Sequence, residues 1–344
     1  MDMSSGSPVP SVLREYGEAT RALLFDYLPD AEPRRYLYAL LQDYPRRGGR
    51  AFRPSLCIAT ARAFGAPLDV ALRTAVSIEL IHNAMLIHDD IEDESEQRRG
   101  EPTLHIKEGV PMAINAGDML SLLSMRPLVD NRNRLGPDLS LRIIEETDRM
   151  ARESAEGQAL ELGWRRDNVL DLNEGDYLLM VLKKTCWLAT IHPTRMGALI
   201  GSIGRIDLDR CIRFGFFLGA AFQIQDDLLN LEGDADVYGK ELGGDIREGK
   251  RTLMLIRLIA NATSGERRRL GSIFARPREE RGVGDVSWVL ERMNFYRCIE
   301  YARELAHGLA GAARYEFAAL YGVLPDSRDK RFLEALPEWV IARN

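Results

Sequence analysis

Cysteine is scarce. The 344 residues hold four, at Cys57, Cys186, Cys211 and Cys298, with no CxxC pair. That excludes a disulfide-stapled scaffold and the usual thiolate zinc sites, and it reads as reduced core cysteines of a cytoplasmic protein. A basic excess is missing as well: 46 Lys and Arg stand against 52 Asp and Glu, a net charge of −6. A general nucleic-acid binder shows the opposite balance. No apolar run reaches the roughly 18 residues of a membrane span, so no integral membrane segment is expected. The opening residues Met1 to Pro8 lack a basic stretch followed by an apolar one, and no secretory signal is expected. Period-2 alternation with hairpin turn signals is also absent, as is any solenoid-length repeat.

What remains is helical periodicity. Leu23, Leu24, Tyr27 and Leu28 recur at helical spacing, as do Leu37, Leu40, Leu41 and Tyr44. The pattern predicts helices over 54–64, 69–93, 111–130, 138–163, 174–190, 192–203, 207–231, 250–261, 289–321 and 328–342. The segment from Thr263 to Asp285, rich in Arg, Glu and Gly, reads as an exposed connection. Residues 1–10, rich in Ser, Gly and Pro, read as a flexible segment. The expectation is a single all-α domain over 11–344, with ten or more helices.

Chemistry concentrates at two acidic helix ends. The first runs His88-Asp89-Asp90-Ile91-Glu92-Asp93-Glu94 and continues to Glu96. Asp89 and Asp93, four residues apart, share a helix face and repel if unpaired. Carboxylates at a helix C-terminus also oppose its dipole. A hard divalent cation relieves both, and carboxylate oxygens suit Mg²⁺. An acidic helix end is most often simply solvated. Stepping back from Asp93 along its face, however, gives Asp89, Met85, His82 and Ile78: carboxylates at a mouth, with apolar groups leading inward. The second cluster is Phe222-Gln223-Ile224-Gln225-Asp226-Asp227-Leu228-Leu229-Asn230. Gln223, Asp226, Asp227 and Asn230 fall on one side of a helix. Gly215 and Gly219 upstream weaken that helix, which fits either close approach of a neighbour or simple packing. Two such clusters could face each other across a bundle and hold metal between them.

Basic groups accompany them. Arg50 and Arg53 precede a helix in Gly48-Gly49-Arg50-Ala51-Phe52-Arg53-Pro54. Cations there are unfavourable unless an anion binds. Arg98-Arg99-Gly100, Lys183-Lys184-Thr185 and the stretch from Tyr238 through Lys240 and Asp245 to Lys250 add more. Each alone is a surface charge; together with two aspartate clusters they describe a site for metal-bridged polyphosphate.

This ordered set resembles the trans-isoprenyl diphosphate synthases (polyprenyl synthetases). It comprises residues 48–54, DDIED with RRG at 89–100, GQALEL at 157–162, Lys184-Thr185, FQIQDDLLN at 222–230 and YGK…GGDIREGK at 238–250. It spans about 45 to 255. The resemblance implies an all-α fold around a central cavity, a homodimer, and Mg²⁺, three ions with bound allylic diphosphate. The reaction implied is condensation of isopentenyl diphosphate with dimethylallyl, geranyl or farnesyl diphosphate. It implies that Asp89, Asp93 and Asp226 hold metal, that Asp90, Asp227 and Asn230 support the site, and that Asp245 binds through water. Arg98, Lys184, Lys240 and Lys250 would hold allylic diphosphate. Thr185 and Gln223 would lie near the reacting carbons. Arg50, Arg53, His82 and Arg99 would hold isopentenyl diphosphate. Arg50, where the family usually has Lys, and Glu161, where Asp is common, are mild departures.

Product length in such enzymes follows cavity depth. Ala84 and Met85, just before Asp89, are small and flexible, and Ile81 with Ser77 or Ile78 lies a turn deeper. Geranylgeranyl diphosphate (C20) is the expected product, with farnesyl or C25 and longer as alternatives. A class I terpene cyclase shares the ionisation chemistry, but its second motif carries Ser where Asp234 stands. An HD-type phosphohydrolase would use His88-Asp89, and a regulatory subunit would usually lack intact aspartate motifs.

Overall fold

A computed structural model describes residues 7–232 and 243–343. The expected all-α architecture is present. The helices are α1 (Val9–Asp26), α2 (Phe52–Ala63), α3 (Leu68–Glu92), α4 (Val110–Leu123), α5 (Met125–Asp130), α6 (Pro137–Arg166) and α7 (Glu174–Val181). A π-helix (Leu182–Ile191) follows. Then come α8 (His192–Gly201), α9 (Arg210–Glu232), α10 (Leu253–Asn261), α11 (Ser264–Phe274), α12 (Val283–Phe295), α13 (Cys298–Tyr321) and α14 (Arg328–Ile341). Among the described residues the only strands are a two-residue pair, Gln97–Arg98 with Glu101–Pro102.

Helix α3 is the axis of the bundle. Ala71, Ala75, Ile78 and Ile81 enter the main core, while Val76, Leu80, Ala84 and Ile87 enter a second core shared with Ala113, Ala116 and Leu120 of α4. A helix apolar on both sides belongs in the interior. By length and composition α3 could also cross a membrane, but most of that stretch is buried inside this protein. On the far side, α9 packs against α13 and the π-helix, and α2 packs against α3 and α8.

Gly215 and Gly219 of α9 serve close approach. A Cβ at Gly219 would stand 2.5 Å from Thr190 Oγ1, and one at Gly215 2.7 Å from Ile191 Cγ1. The π-helix that approaches them replaces the end of the helix expected over 174–190. Its wider turn is a feature often found at functional sites.

Three other expectations shift. Helix α1 begins at Val9, which is fully buried, so residues 9 and 10 belong to the bundle. The helix expected over 111–130 breaks at Ser124 into α4 and α5. The supposed connection from Thr263 to Asp285 contains α11, which buries Leu270, Ile273 and Phe274. A capping box starts it: Glu266 N–H donates to Thr263 Oγ1 at 3.3 Å, and Thr263 N–H donates to Glu266 Oε2 at 2.9 Å. The run Arg267-Arg268-Arg269 masks its apolar period in the sequence.

Candidate active site

A cavity of about 330 Å³ opens between α3, α6, α7, the π-helix and α9. Both aspartate motifs reach it, as their common chemistry suggested. From α3 come His82, Met85, Leu86, His88, Asp89 and Glu92; from α9 come Phe222, Gln223, Asp226 and Asp227.

The first motif divides by direction. Asp89 faces the cavity, with Lys184 Nζ at 3.4 Å and Arg98 Nη2 at 3.7 Å. Asp90 is fully buried and does not line the cavity. It accepts from Arg98 Nε at 2.9 Å and from the Tyr44 hydroxyl at 2.5 Å, so it anchors Arg98 rather than meeting a substrate. Asp93 is likewise buried behind the wall, between Arg165 Nη1 at 2.5 Å and Lys250 Nζ at 2.7 Å. Burial opposes its charge, but Lys250 and the other nearby cations hold the carboxyl below its ordinary range. Successive helical residues point about 100° apart, so Asp90 turns away from the cavity that Asp89 faces, while Asp93 lies at the cap just past the helix end at Glu92.

The second motif forms a hydrogen-bonded chain. Thr185 Oγ1 donates to Gln223 Oε1 at 2.8 Å, and Gln223 Nε2 donates to Asp227 Oδ1 at 2.7 Å. The Tyr177 hydroxyl donates to Asp227 Oδ2 at 2.9 Å. Burial and the neighbouring Asp245 push the Asp227 carboxyl well above its usual range. Asn230 stands outside the cavity, and its Oδ1 accepts the Asp245 N–H at 3.1 Å, which fixes the turn that presents Asp245. Gln225 points the other way, donating to the Arg343 carbonyl at 3.0 Å.

The cations separate into two kinds. Arg98, Lys184 and Lys250 line the cavity but are paired with acids: Arg98 with Asp90, Lys184 with Glu161, and Lys250 with Asp93 and Glu248. Burial disfavours the Lys184 charge, yet Glu161 and Asp89 raise its ammonium above the usual value. Arg53 and Arg251 also line the cavity, and burial lowers each guanidinium to about 10. Arg53 Nη1 lies 3.3 Å from His82 Nε2. Burial, then Arg53 and Arg99, hold that imidazole well below its ordinary value, so it is neutral.

Several expected residues fall elsewhere. Arg50 is exposed over the Trp339 ring, 6.0 Å from its centroid, and does not line the cavity. Arg99 lies behind Arg53, against Gly49, where a Cβ would stand 2.7 Å from its Nη2. Ala84, expected on the tunnel wall, is fully buried in the second core, because it points to the α4 side of α3. Ile81 sits in the main core, and of the three chain-length candidates Met85 alone lines the cavity. Lys240 lies outside the described residues.

The structure adds residues with no motif to announce them: Tyr177, Met180, Leu188, Arg251 and, behind the wall, Arg165. Gly157 explains how the π-helix reaches the site. A Cβ there would stand 2.1 Å from the Lys184 backbone nitrogen, so only glycine lets α6 approach it.

Among the described residues no three His, Cys, Asp or Glu groups converge closely enough to hold an ion unaided. That suits Mg²⁺, which takes one or two carboxylates and completes its shell with water and substrate phosphate oxygens. Asp89, Asp226 and Asp245 at one cavity offer such donors.

The polyprenyl synthetase family profile matches residues 34–293. A short chain isoprenyl diphosphate synthase of Methanothermobacter thermautotrophicus is 34% identical, over 97% of this chain and 98% of its own. An octaprenyl diphosphate synthase of Escherichia coli is 31% identical, over 86% and 87%. The crystal structure of a geranylgeranyl pyrophosphate synthetase from Pyrococcus horikoshii superposes with a TM-score of 0.85 at 31% identity, covering 97% of this chain and 99% of the other. With the two aspartate motifs on one cavity and a family match over most of its length, the chain belongs to the polyprenyl synthetase family of trans-prenyltransferases.

Proposed function

We propose that this enzyme extends an allylic diphosphate with isopentenyl diphosphate and releases geranylgeranyl diphosphate (C20). The observation that carries the reading is one cavity lined by three kinds of group. Arg53 and His82 are in contact on its wall, carboxylates and acid-paired cations line it as well, and Met85, Leu86, Met180, Leu188 and Phe222 supply apolar wall.

Each residue then has a task. Members of this family are generally Mg²⁺-dependent. Bound Mg²⁺, three ions in the full complex, supplies Lewis-acid stabilisation of the leaving diphosphate. Asp89 and Asp226 present its carboxylate donors, and Asp93 backs them through Lys250. Arg98 and Lys184 hold the allylic diphosphate, with Lys250 behind them. The C1–O bond breaks and its electron pair leaves with the diphosphate. Stabilisation comes from fixed charges already in place, which need no reorganisation. Arg53 and neutral His82 hold isopentenyl diphosphate so that its double bond attacks C1, and the lost proton passes to the departing diphosphate. Thr185 and Gln223, tied together, stand beside the reacting carbons. No protein nucleophile is required.

A C20 tail has Met85 and Leu188 as walls. In a cyclase the Arg53–His82 pair would have no substrate to hold. A regulatory subunit would not keep both motifs on one cavity. Leu122, Val110, Ile114, Met125, Val129 and Leu141 are exposed apolar side chains carried on α4 to α6, and we read that part of the surface as the homodimer interface. Four buried, unpaired cysteines fit a reducing cytoplasm.

The test is incubation with farnesyl and isopentenyl diphosphates and Mg²⁺, followed by chromatography of the dephosphorylated product. Geranylgeraniol is expected. A longer or shorter alcohol refutes the C20 assignment. Hydrocarbon formed without isopentenyl diphosphate identifies a cyclase. Light scattering should give twice the 38.8 kDa chain mass; a monomer refutes the dimer.

A further inference from the structure

Arg251 is a buried cation on the cavity wall that none of the motif residues explains. It is 2% exposed. Its bonds all run to neutral acceptors: Nε donates to the Val169 carbonyl at 3.0 Å, Nη1 to the Gly249 carbonyl at 2.6 Å and Nη2 to Asn168 Oδ1 at 2.8 Å. The guanidinium also lies 5.2 Å from the centroid of the Phe274 ring. Among the described residues no carboxylate lies within 4.0 Å of it, and the charged groups acting on it are Arg281 and Arg165.

A buried charge is costly unless paired. Arg98, Lys184 and Lys250 meet that requirement with acids of the protein, and Arg251 does not. A guanidinium has five N–H donors, and three are used here. The remaining two belong to a group already locked in place on the same wall as Asp245, Lys250 and Thr252.

We propose that Arg251 is a diphosphate-binding residue that completes its charge balance only when the anion arrives, on the allylic side of the site. This rests on the reading above that the cavity takes diphosphate esters. Pre-organisation is the point: the ordering cost of a flexible cation is already met by the Val169, Gly249 and Asn168 contacts. Arg53, the other cavity-lining cation with no carboxylate within 4.0 Å among the described residues, plays the matching part for isopentenyl diphosphate.

The test uses the full-length protein with inorganic pyrophosphate and Mg²⁺, titrated by calorimetry. Arg251→Met should weaken binding about ten- to a hundredfold, the range for losing a charge-assisted hydrogen bond. Arg251→Lys, which keeps the charge but loses the three tethering contacts, should recover part of that binding and fall between the methionine variant and wild type. In steady-state assays the methionine variant should raise KM for farnesyl diphosphate and leave KM for isopentenyl diphosphate within twofold. Unchanged pyrophosphate binding in Arg251→Met overturns the proposal. So does a lysine variant that binds pyrophosphate more weakly than the methionine one, since a cation at this position would then not help the anion bind. A rise in the isopentenyl KM alone refutes the allylic assignment. If Arg251→Met does not fold, Arg251→Gln carries the same test, because its amide can still reach a backbone carbonyl. Wild-type protein that binds pyrophosphate but elongates nothing refutes the catalytic reading and leaves this one standing.

Discussion

Asp90 offers the sharpest check on how the first motif works. It is fully buried, and its carboxylate meets Arg98 Nε at 2.9 and 3.0 Å and the Tyr44 hydroxyl at 2.5 Å. Arg98 itself is 8% exposed and leans from there toward Asp89. Asp90→Asn keeps the shape and removes the charge. It leaves a buried guanidinium without its partner, and breaking a buried pair this way costs about 3–5 kcal/mol. Near the melting point ~1 kcal/mol moves a large domain by about 2 °C, so thermal unfolding should fall by about 5–10 °C. Tyr44→Phe removes one hydrogen bond to a charged acceptor, for about 1.5–3 kcal/mol. Both bonds converge on one carboxylate, so the double variant should lose less than the sum of the two. The readouts are differential scanning fluorimetry and KM for farnesyl diphosphate, which should rise as Arg98 loses its anchor. An Asp90→Asn protein that melts within 1 °C of wild type with unchanged KM would refute the anchoring role.

Other outcomes follow from the same geometry. Asp89→Ala and Asp226→Ala should each cut turnover by about three orders of magnitude or more with melting temperature nearly kept; a loss under tenfold would sink the metal assignment. Met85→Phe, at the cavity wall, should shorten the product below C20. Ala84→Phe, in the second core, should instead overpack α3 against α4 and cost about 1–3 kcal/mol. Product analysis showing the reverse pattern would refute the assignment of Met85 to the wall. His192 is buried with its imidazole lowered to about 3, burial being the main cause and Arg195 the next. Its unfolded value is about 6.5, so the unfolded chain binds the extra proton first as pH falls, and stability drops below about pH 6.5, by up to ~1.4 kcal/mol per unit. His192→Asn should flatten that dependence between about pH 6.5 and 5, measured by thermal melts; an unchanged slope would show that His192 titrates normally.

Much of the site was legible because its residues are bound to local sequence. Asp89 and Asp226 end apolar helices, and helical spacing alone set them at a mouth. Lys184 and Arg98 were visible as charges beside motifs. Asp90 and Asp93 were harder. A run of acids shows its composition, whereas which of its members meets solvent depends on rotation about α3, and that rotation is set by the two cores flanking it. Arg50 stands apart from the cavity lining for a related reason: two arginines three residues apart look equivalent in sequence until Trp339, from the far end of the chain, comes to lie beside one of them. Ala84 and Met85 are neighbours, and one turned to α4 while the other turned to the cavity. Helix α11 was hidden by three arginines in a row, which mask its apolar period; folding pairs Arg267 with Asp171 and lays Arg269 over the Trp288 ring.

The sequence by itself determined the helical class, the two cavity-facing aspartates Asp89 and Asp226 and the family, because each rests on short-range periodicity or on ordered local motifs. The tertiary structure alone decided which charges are neutralised. Lys250 is quenched by Asp93, from more than 150 positions away, while among the described residues its neighbour Arg251 meets carbonyls, an amide and an aromatic ring. Nothing adjacent in the chain separates those two cations. Their difference comes from burial and from partners brought by folding, since a buried charge is governed by what packs around it rather than by what precedes it in the chain.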